Sequence, residues 1–253
     1  MAPDYKRSWI PPKTLEEKVR DLFVPQWLRI RERAYRELKK GEPELKMIPV
    51  LAKNCIRAID IGANVGVWSY WLAKQVKYVE SFEPNPKIYS SLKSIKVKNI
   101  NTHSVALSNK SGEEELHVPF SPKGFSNQGA TLNYKKINGN SKSLYVKSRC
   151  LDEYEFSNVG FIKIDVEGHE HEVLEGAMRT IKKNMPNLLV EMEEKHNKIP
   201  INEQIRSIEG MGYKSYVAKQ GKLISTNEID VVKLHRHPKN TKEYLFNFIF
   251  LPR

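Results

Sequence analysis

Residues 162–177 read IKIDVEGHEHEVLEGA and set five carboxylates, Asp165, Glu167, Glu170, Glu172 and Glu175, around His169 and His171. Three roles are open to such a cluster: holding a metal ion, moving a proton, or opening a helix, whose first amides favour negative charge. His169 and His171 stand two residues apart and would point to different faces of a helix, and the H-E-x-x-H spacing is absent, so zinc is not indicated. A hard cation is better served, and Asp165, Glu167 and Glu191 are the carboxylates that could hold Mg2+. As proton acceptors, Asp165 and Glu167 come first, with His196, just past the run NLLVEMEE, as a further base.

What those residues do depends on the elements that position them. Residues 1–53 read as a helical extension. Thr14 and Glu17 form a capping-box pattern ahead of Leu15, Val19, Leu22 and Phe23, and Pro25 restarts a helix with Trp27, Ile30, Ala34 and Leu38 on one side and Gly41 as its stop. Residues 54–253 read as one α/β domain. The runs CIRAIDIG, YVESFEPN, NTHSVALS, VGFIKIDVEG, NLLVEMEE, YKSYVAK and YLFNFIFL are strand-like, and helical stretches such as VGVWSYWLAKQ, PKIYSSLKSIK and HEVLEGAMRTIKKN alternate with most of them. EEELHVPF and SLYVKSRC form a β-rich excursion around a Gly/Asn/Ser/Lys-rich loop over 121–143. Strands alternating with helices predict a doubly wound, mostly parallel sheet. Asp165 then ends the strand beside the first one, at the switch point where such sheets bind ligands.

AIDIGANVGVWS ends a strand at Asp60 and turns through Gly62, Asn64 and Gly66 into a helix, whose free amides suit an anionic group. Glu83 closes the next strand 23 positions after Asp60, where an acid can accept hydrogen bonds from both hydroxyls of a ribose. Neither G-x-G-x-x-G nor G-x-x-x-x-G-K-[ST] is present, which argues against a dinucleotide or a P-loop nucleotide. Asp60 suits a cofactor with a cationic amino-acid end.

Together, AIDIGANVGVWS, ESFEPNP, SVALSN and CLDEYEFSNVGFIKIDVEGHEHEVLEGA resemble the FkbM-type family of S-adenosylmethionine-dependent methyltransferases, over about residues 56–193. The resemblance implies the Rossmann-like class I methyltransferase fold, a seven-stranded sheet whose last strand runs antiparallel. It implies S-adenosyl-L-methionine as cofactor, with Asp60, Gly62, Asn64 and Gly66 at its methionine end, Glu83 at the ribose, Asn85 and Ala106 near the adenine, and Pro84 and Asp165 also among the cofactor-binding residues. It also implies O-methylation of a hydroxyl, on a sugar, a glycan or another hydroxylated small molecule. An alternative acceptor is RNA: ribose 2′-O-methyl transfer uses a Lys-Asp-Lys-Glu set, for which Asp165, Lys195 and Glu228 could fill three places and Lys46 or Lys53 the fourth.

The chain of 253 residues is 40% hydrophobic and 9% aromatic, enough for a core and against wholesale disorder. No apolar run approaches a membrane span, MAPDYKRSWIPPK lacks a secretory apolar region, and Cys55 and Cys150 make no CxxC, so a reducing, cytoplasmic setting is expected. The net charge is +12, and no acid occurs between Glu115 and Asp152, where Lys123, Lys135, Lys136, Lys142, Lys147 and Arg149 fall. Such a face attracts nucleic acid, anionic glycans or acidic lipids, or serves solubility alone. Charge does not choose among them, and oligomeric state is not legible.

Overall fold

The computed structural model describes residues 9–122, 124–126, 128–133, 139–241 and 243–253. Lys123, Lys135 and Lys136 of the expected basic loop lie outside the described residues, whereas Lys142 and Lys147 fall in a strand.

Among the described residues three α-helices, α1 (Leu15–Phe23), α2 (Gln26–Lys40) and the short α3 (Ile48–Leu51), precede the first strand. The Thr14–Glu17 capping box forms: each side chain accepts from the other's backbone N–H. The apolar stripe of α1 does not pack inward as expected, for Leu15, Leu22 and Phe23 stay 78–81% exposed. By contrast α2 buries Ile30 and Ala34 against the body, and the Trp71 indole donates to the Ala34 carbonyl at 3.0 Å.

The body alternates as predicted: β1 (Arg57–Ile61), α4 (Val67–Leu72), β2 (Tyr78–Phe82), α5 (Pro86–Leu92) and β3 (Ile100–His103). The strand expected over 101–108 is divided, since the chain leaves the sheet after His103 and β4 (Ala106–Leu107) joins a second sheet with β5 (Gly112–Ser121), β6 (Gly124–Phe125) and β7 (Ser141–Arg149). Next come β8 (Val159–Ile164), α6 (Glu170–Gly176), α7 (Met178–Asn184), β9 (Asn187–Glu191), α8 (Glu194–Asn197), α9 (Ile201–Glu209), β10 (Tyr213–Lys219), β11 (Lys222–Ser225), α10 (Val231–Arg236) and β12 (Asn247–Pro252). The helix expected over 171–184 is thus two, broken at Ala177.

Among the described residues the main sheet has eight strands in the order β3-β2-β1-β8-β9-β12-β10-β11. β12 runs antiparallel between β9 and β10, as the resemblance implied. The eighth strand, beyond the expected seven, is β11, joined to β10 through Gln220 and Gly221, both at positive φ; two such residues make the tight turn that closes a hairpin.

Both faces of the sheet are covered, so the central strands are near-continuous apolar runs whose members alternate between two cores. Ile59, Ile162, Leu188 and Phe250 point to the α6/α7/α9 side, and Ala58, Phe161, Leu189 and Ile249 to the α3/α4 side. The alternation puts Asp60 on the α4 side, in register with Ser81 of β2 and Lys163 of β8. A polar row therefore crosses three strands just below their carboxyl ends. No helix among the described residues is long and apolar enough to cross a membrane.

Candidate active site at the strand tips

The turn after β1 passes through Gly62 at φ 76°, Asn64 at φ 50° and Gly66 at φ 88°. A Cβ on Gly62 would stand 1.8 Å from the Asp165 carbonyl oxygen, so glycine is required there because the tips of β1 and β8 touch. That corrects the expected reason, since it is the neighbouring strand and not a ligand that fills the space. Gly66 caps α4 against Ile95 and Leu92.

Glu83, 7% exposed, receives the Asn64 amide on one carboxylate oxygen and the Asn85 amide on the other, each at 2.9 Å. Burial pushes its pKa up to about 7, against the pull of those two donors, with Asp165 and Asp60 adding to the rise. Asn85 caps α5 with its side-chain oxygen, and its Nδ2 is buried with no hydrogen-bond partner among the described residues. These groups border a cavity of about 280 Å³ that also takes in Gly62, Pro84 and Ala106.

The polar row lies beside this space. Ser69 of α4 donates to Asp60 Oδ2 at 2.5 Å and sits 2.8 Å from the Ser81 hydroxyl. Asp60 Oδ1 is buried without a partner among the described residues. Burial raises the Asp60 pKa, and the Lys163 charge opposes the rise. Lys163 itself is 3% exposed and contacts Asp165 Oδ2 at 2.7 Å. Burial pulls its pKa down, but Asp165, Asp60 and Glu42 outweigh that and hold the ammonium protonated. Asp60, Lys163 and Arg33 line a smaller space of about 130 Å³, and Gly62, Asn64, Asp165 and Glu42 border both. Glu83 and Asp165 thus face the larger space and Asp60 and Asp165 the smaller one beside it.

Asp165, Glu167 and Glu191 all border the larger cavity. Burial pushes the Glu191 pKa up to about 9, with Asp165 adding to it, so its carboxyl is protonated at neutral pH. Among the described residues no group of three or more His, Cys, Asp or Glu side chains is arranged to hold a metal ion, so the trio expected for Mg2+ is not brought together as a ligand set. His196 is a correction: it is 7% exposed, lies behind Gly168 with its Nε2 3.9 Å from Glu193, and does not border the cavity. It belongs to α8, which begins at Glu194 after β9 and sets it on the far side of the Gly168 turn.

Of the Lys-Asp-Lys-Glu set, only Asp165 borders the cleft. Lys195 pairs with Glu193, Lys46 lines a separate apolar groove with Trp71, and Glu228 ends a short turn after β11. The helical cap reading fits Glu170, whose carboxylate accepts the Gly168 amide at 2.8 Å, while Glu172 and Glu175 face outward beside His169 and His171.

Two contributors went unseen in the sequence, and a third, His169, was weighed there only as a metal ligand. Glu42, from the extension, receives the Trp68 indole at 3.3 Å, and burial raises its pKa. Residues 128–132 of the β-rich excursion border the cavity, tied down where Thr131 donates to the Glu167 carbonyl at 2.8 Å and Asn133 to the Gly168 carbonyl at 3.0 Å. His169 borders it too, its Nε2 2.9 Å from the Ser108 hydroxyl.

A sheet of this order, with β12 and the edge strand β11 running against the rest and a cleft at the tips of β1, β2 and β8, defines a class I methyltransferase fold. The chain belongs to the methyltransferase FkbM domain family, whose sequence profile matches residues 60–215. The crystal structure of methyltransferase FkbM from Methylobacillus flagellatus KT superposes with a TM-score of 0.50 at 14% identity, over 92% of this chain. The chain spans 60% of the length of that structure. A TehB-like SAM-dependent methyltransferase from Corynebacterium glutamicum aligns at 9% identity and TM-score 0.45, over 89% of this chain and 97% of its own. A putative methyltransferase from Streptococcus mutans, in complex with SAH, aligns at 9% and 0.43, over 79% and 90%. No curated protein sequence matches the chain.

Proposed function

We propose that the chain is an S-adenosylmethionine-dependent O-methyltransferase acting on a hydroxyl of a sugar, glycan or other hydroxylated small molecule. The observation that carries the reading is a pair of neighbouring spaces at the strand tips, both bordered by Asn64 and Asp165, with Glu83 and Asn85 on one and Asp60 on the other. The donor set fits the cofactor's functional groups. Glu83 would accept from ribose hydroxyls, while Asn85 Nδ2 and Asp60 Oδ1, each without a partner among the described residues, would donate to the nucleoside and accept from the ammonium respectively. Bound S-adenosylmethionine supplies a methyl group on a sulfonium, an electrophile for which the protein mainly provides position.

The acceptor side falls to the carboxylates on the β8 rim. Asp165 is oriented by Lys163 and would take the hydrogen bond of the acceptor hydroxyl, with Glu167 on the same rim as a second proton acceptor. Glu191, protonated, would donate to the acceptor. Labelled-methyl transfer to a panel of sugars, with Asp165→Asn and Glu167→Gln beside the wild type, tests the assignment. Asp165→Asn should lose roughly 100-fold or more in turnover. A rate within twofold of wild type removes Asp165 from the chemistry, and calorimetry that finds no S-adenosylmethionine binding removes the whole reading.

A further inference from the structure

A second cavity, of about 340 Å³, lies between the N-terminal helices and α5. Its wall carries six cations, Lys13, Arg20, Arg29, Arg33, Arg36 and Lys87, against three acids, Glu17, Asp21 and Glu32. Asp21 pairs with Lys13 at 2.7 Å and with Arg29, and Glu17 pairs with Lys87 at 3.0 Å. That leaves Arg20, Arg33 and Arg36, whose acidic neighbours are Glu16 and Glu37 at 3.9–4.0 Å, outside the cavity wall. Arg29 and Arg33 also present buried Nε groups that no described residue accepts from.

The sequence builds this deliberately unfavourable stripe on α2. Arg29, Arg33 and Arg36 follow at i, i+4 and i+7, beside the packed Ile30 and Ala34. Like charges at that spacing weaken a helix, and buried donors left unmatched weaken it further. An anion seated among the guanidinium groups that line the cavity offsets the first penalty. Planar guanidinium groups hold tetrahedral oxyanions through paired N–H donors, and a dianion answers a surplus of about three cations. We infer that this cavity binds a phosphate monoester dianion, at a site distinct from the cofactor cleft. The walls are shared, since Arg33 and Val65 also border the Asp60 end of the cleft and Ile88 its nucleoside end.

The test uses the full chain and does not depend on turnover or on the cofactor. Thermal melts are recorded against inorganic phosphate, with sodium chloride at matched ionic strength. The expected result is a saturable rise in melting temperature with phosphate and none with chloride. The double variant Arg29→Gln/Arg36→Gln should weaken the apparent affinity at least tenfold. Arg36→Gln alone removes a 60% exposed side chain whose acidic neighbour is 4.0 Å away, keeps the fold, and should weaken it severalfold. An equal shift in chloride, or variants that keep the wild-type response while their circular dichroism is unchanged, overturns the site. Two further arms identify the source of the ester. Glucose 6-phosphate binding more tightly than phosphate, with glucose inert, assigns a soluble ester. Sedimentation with phosphatidic acid vesicles, lost in the double variant, assigns a lipid headgroup, for which the exposed Leu22 and Phe23 on α1 would lie alongside.

Discussion

Glu83→Gln separates a ribose-binding carboxylate from a structural one. In the wild type both carboxylate oxygens accept backbone amides at 2.9 Å. The amide side chain keeps one oxygen and turns an NH2 toward the other donor, so one buried amide is left unmatched at a cost of about 1–3 kcal/mol. The melting temperature should fall by a few degrees, and the fold should persist. Cofactor affinity should fall further. One charge-assisted hydrogen bond to a ribose hydroxyl is worth about 1.5–3 kcal/mol, which corresponds to roughly 10- to 100-fold in Kd. The pH dependence sharpens the test. Because the Glu83 pKa is raised to about 7, its ionised form costs the empty protein stability as pH rises through 7. Binding has the opposite sign, because hydroxyl donors need the ionised form. Wild-type affinity should therefore weaken as pH falls below about 7, by up to about tenfold per unit, and the variant should lose that slope. Calorimetry at pH 6 and 8 measures both. A folded variant with a Kd within threefold of wild type and the same pH slope refutes the role.

Glu191→Gln should melt at or above the wild type near pH 9, because the raised Glu191 pKa gives stability that is full below its unfolded value and lost as pH climbs through about 9; equal pH slopes in the two proteins' melts count against this. Gly62→Ala places a Cβ 1.8 Å from the Asp165 oxygen at φ 76°, and should lower stability by roughly 2–4 kcal/mol, a drop of several degrees in a melt; an unchanged melt would mean the strand tips part freely. Ser69→Ala removes the hydroxyl that donates to Asp60 and should weaken cofactor binding severalfold with turnover at saturation preserved, which a titration of rate against cofactor reads.

Much of this site could be read from residue types because it hangs on strand ends. A sheet covered on both faces needs unbroken apolar runs, and a polar residue interrupting one, such as Asp60 after Ala58 and Ile59, stands out. Glu83 is legible for the same reason, at the end of YVESFE. Lys163 sits in such a run as well, inside VGFIKI, yet only the register beside Asp60 shows what it neutralises. Glu42 and residues 128–132 are brought in from segments with no periodic signature, so nothing local marks them. His196 misled because its distance from the strand end says nothing about the turn at Gly168. The apolar spacing of α1 correctly gives a helix, but spacing names a face without naming what covers it.

β12 is the last strand in the sequence and an interior strand of the sheet, between β9 and β10. Until residues 247–252 arrive, β9 and β10 each hold an open, apolar edge of the sort that recruits other chains. Completion of the sheet is thereby deferred until residues 247–252 have been made, and the Glu191 tip of β9, paired with Asn247, is set by the same closing event. Truncation before Asn247 should yield an aggregating chain whose methyl-transfer rim never settles, a failure of assembly timing that leaves every rim residue present.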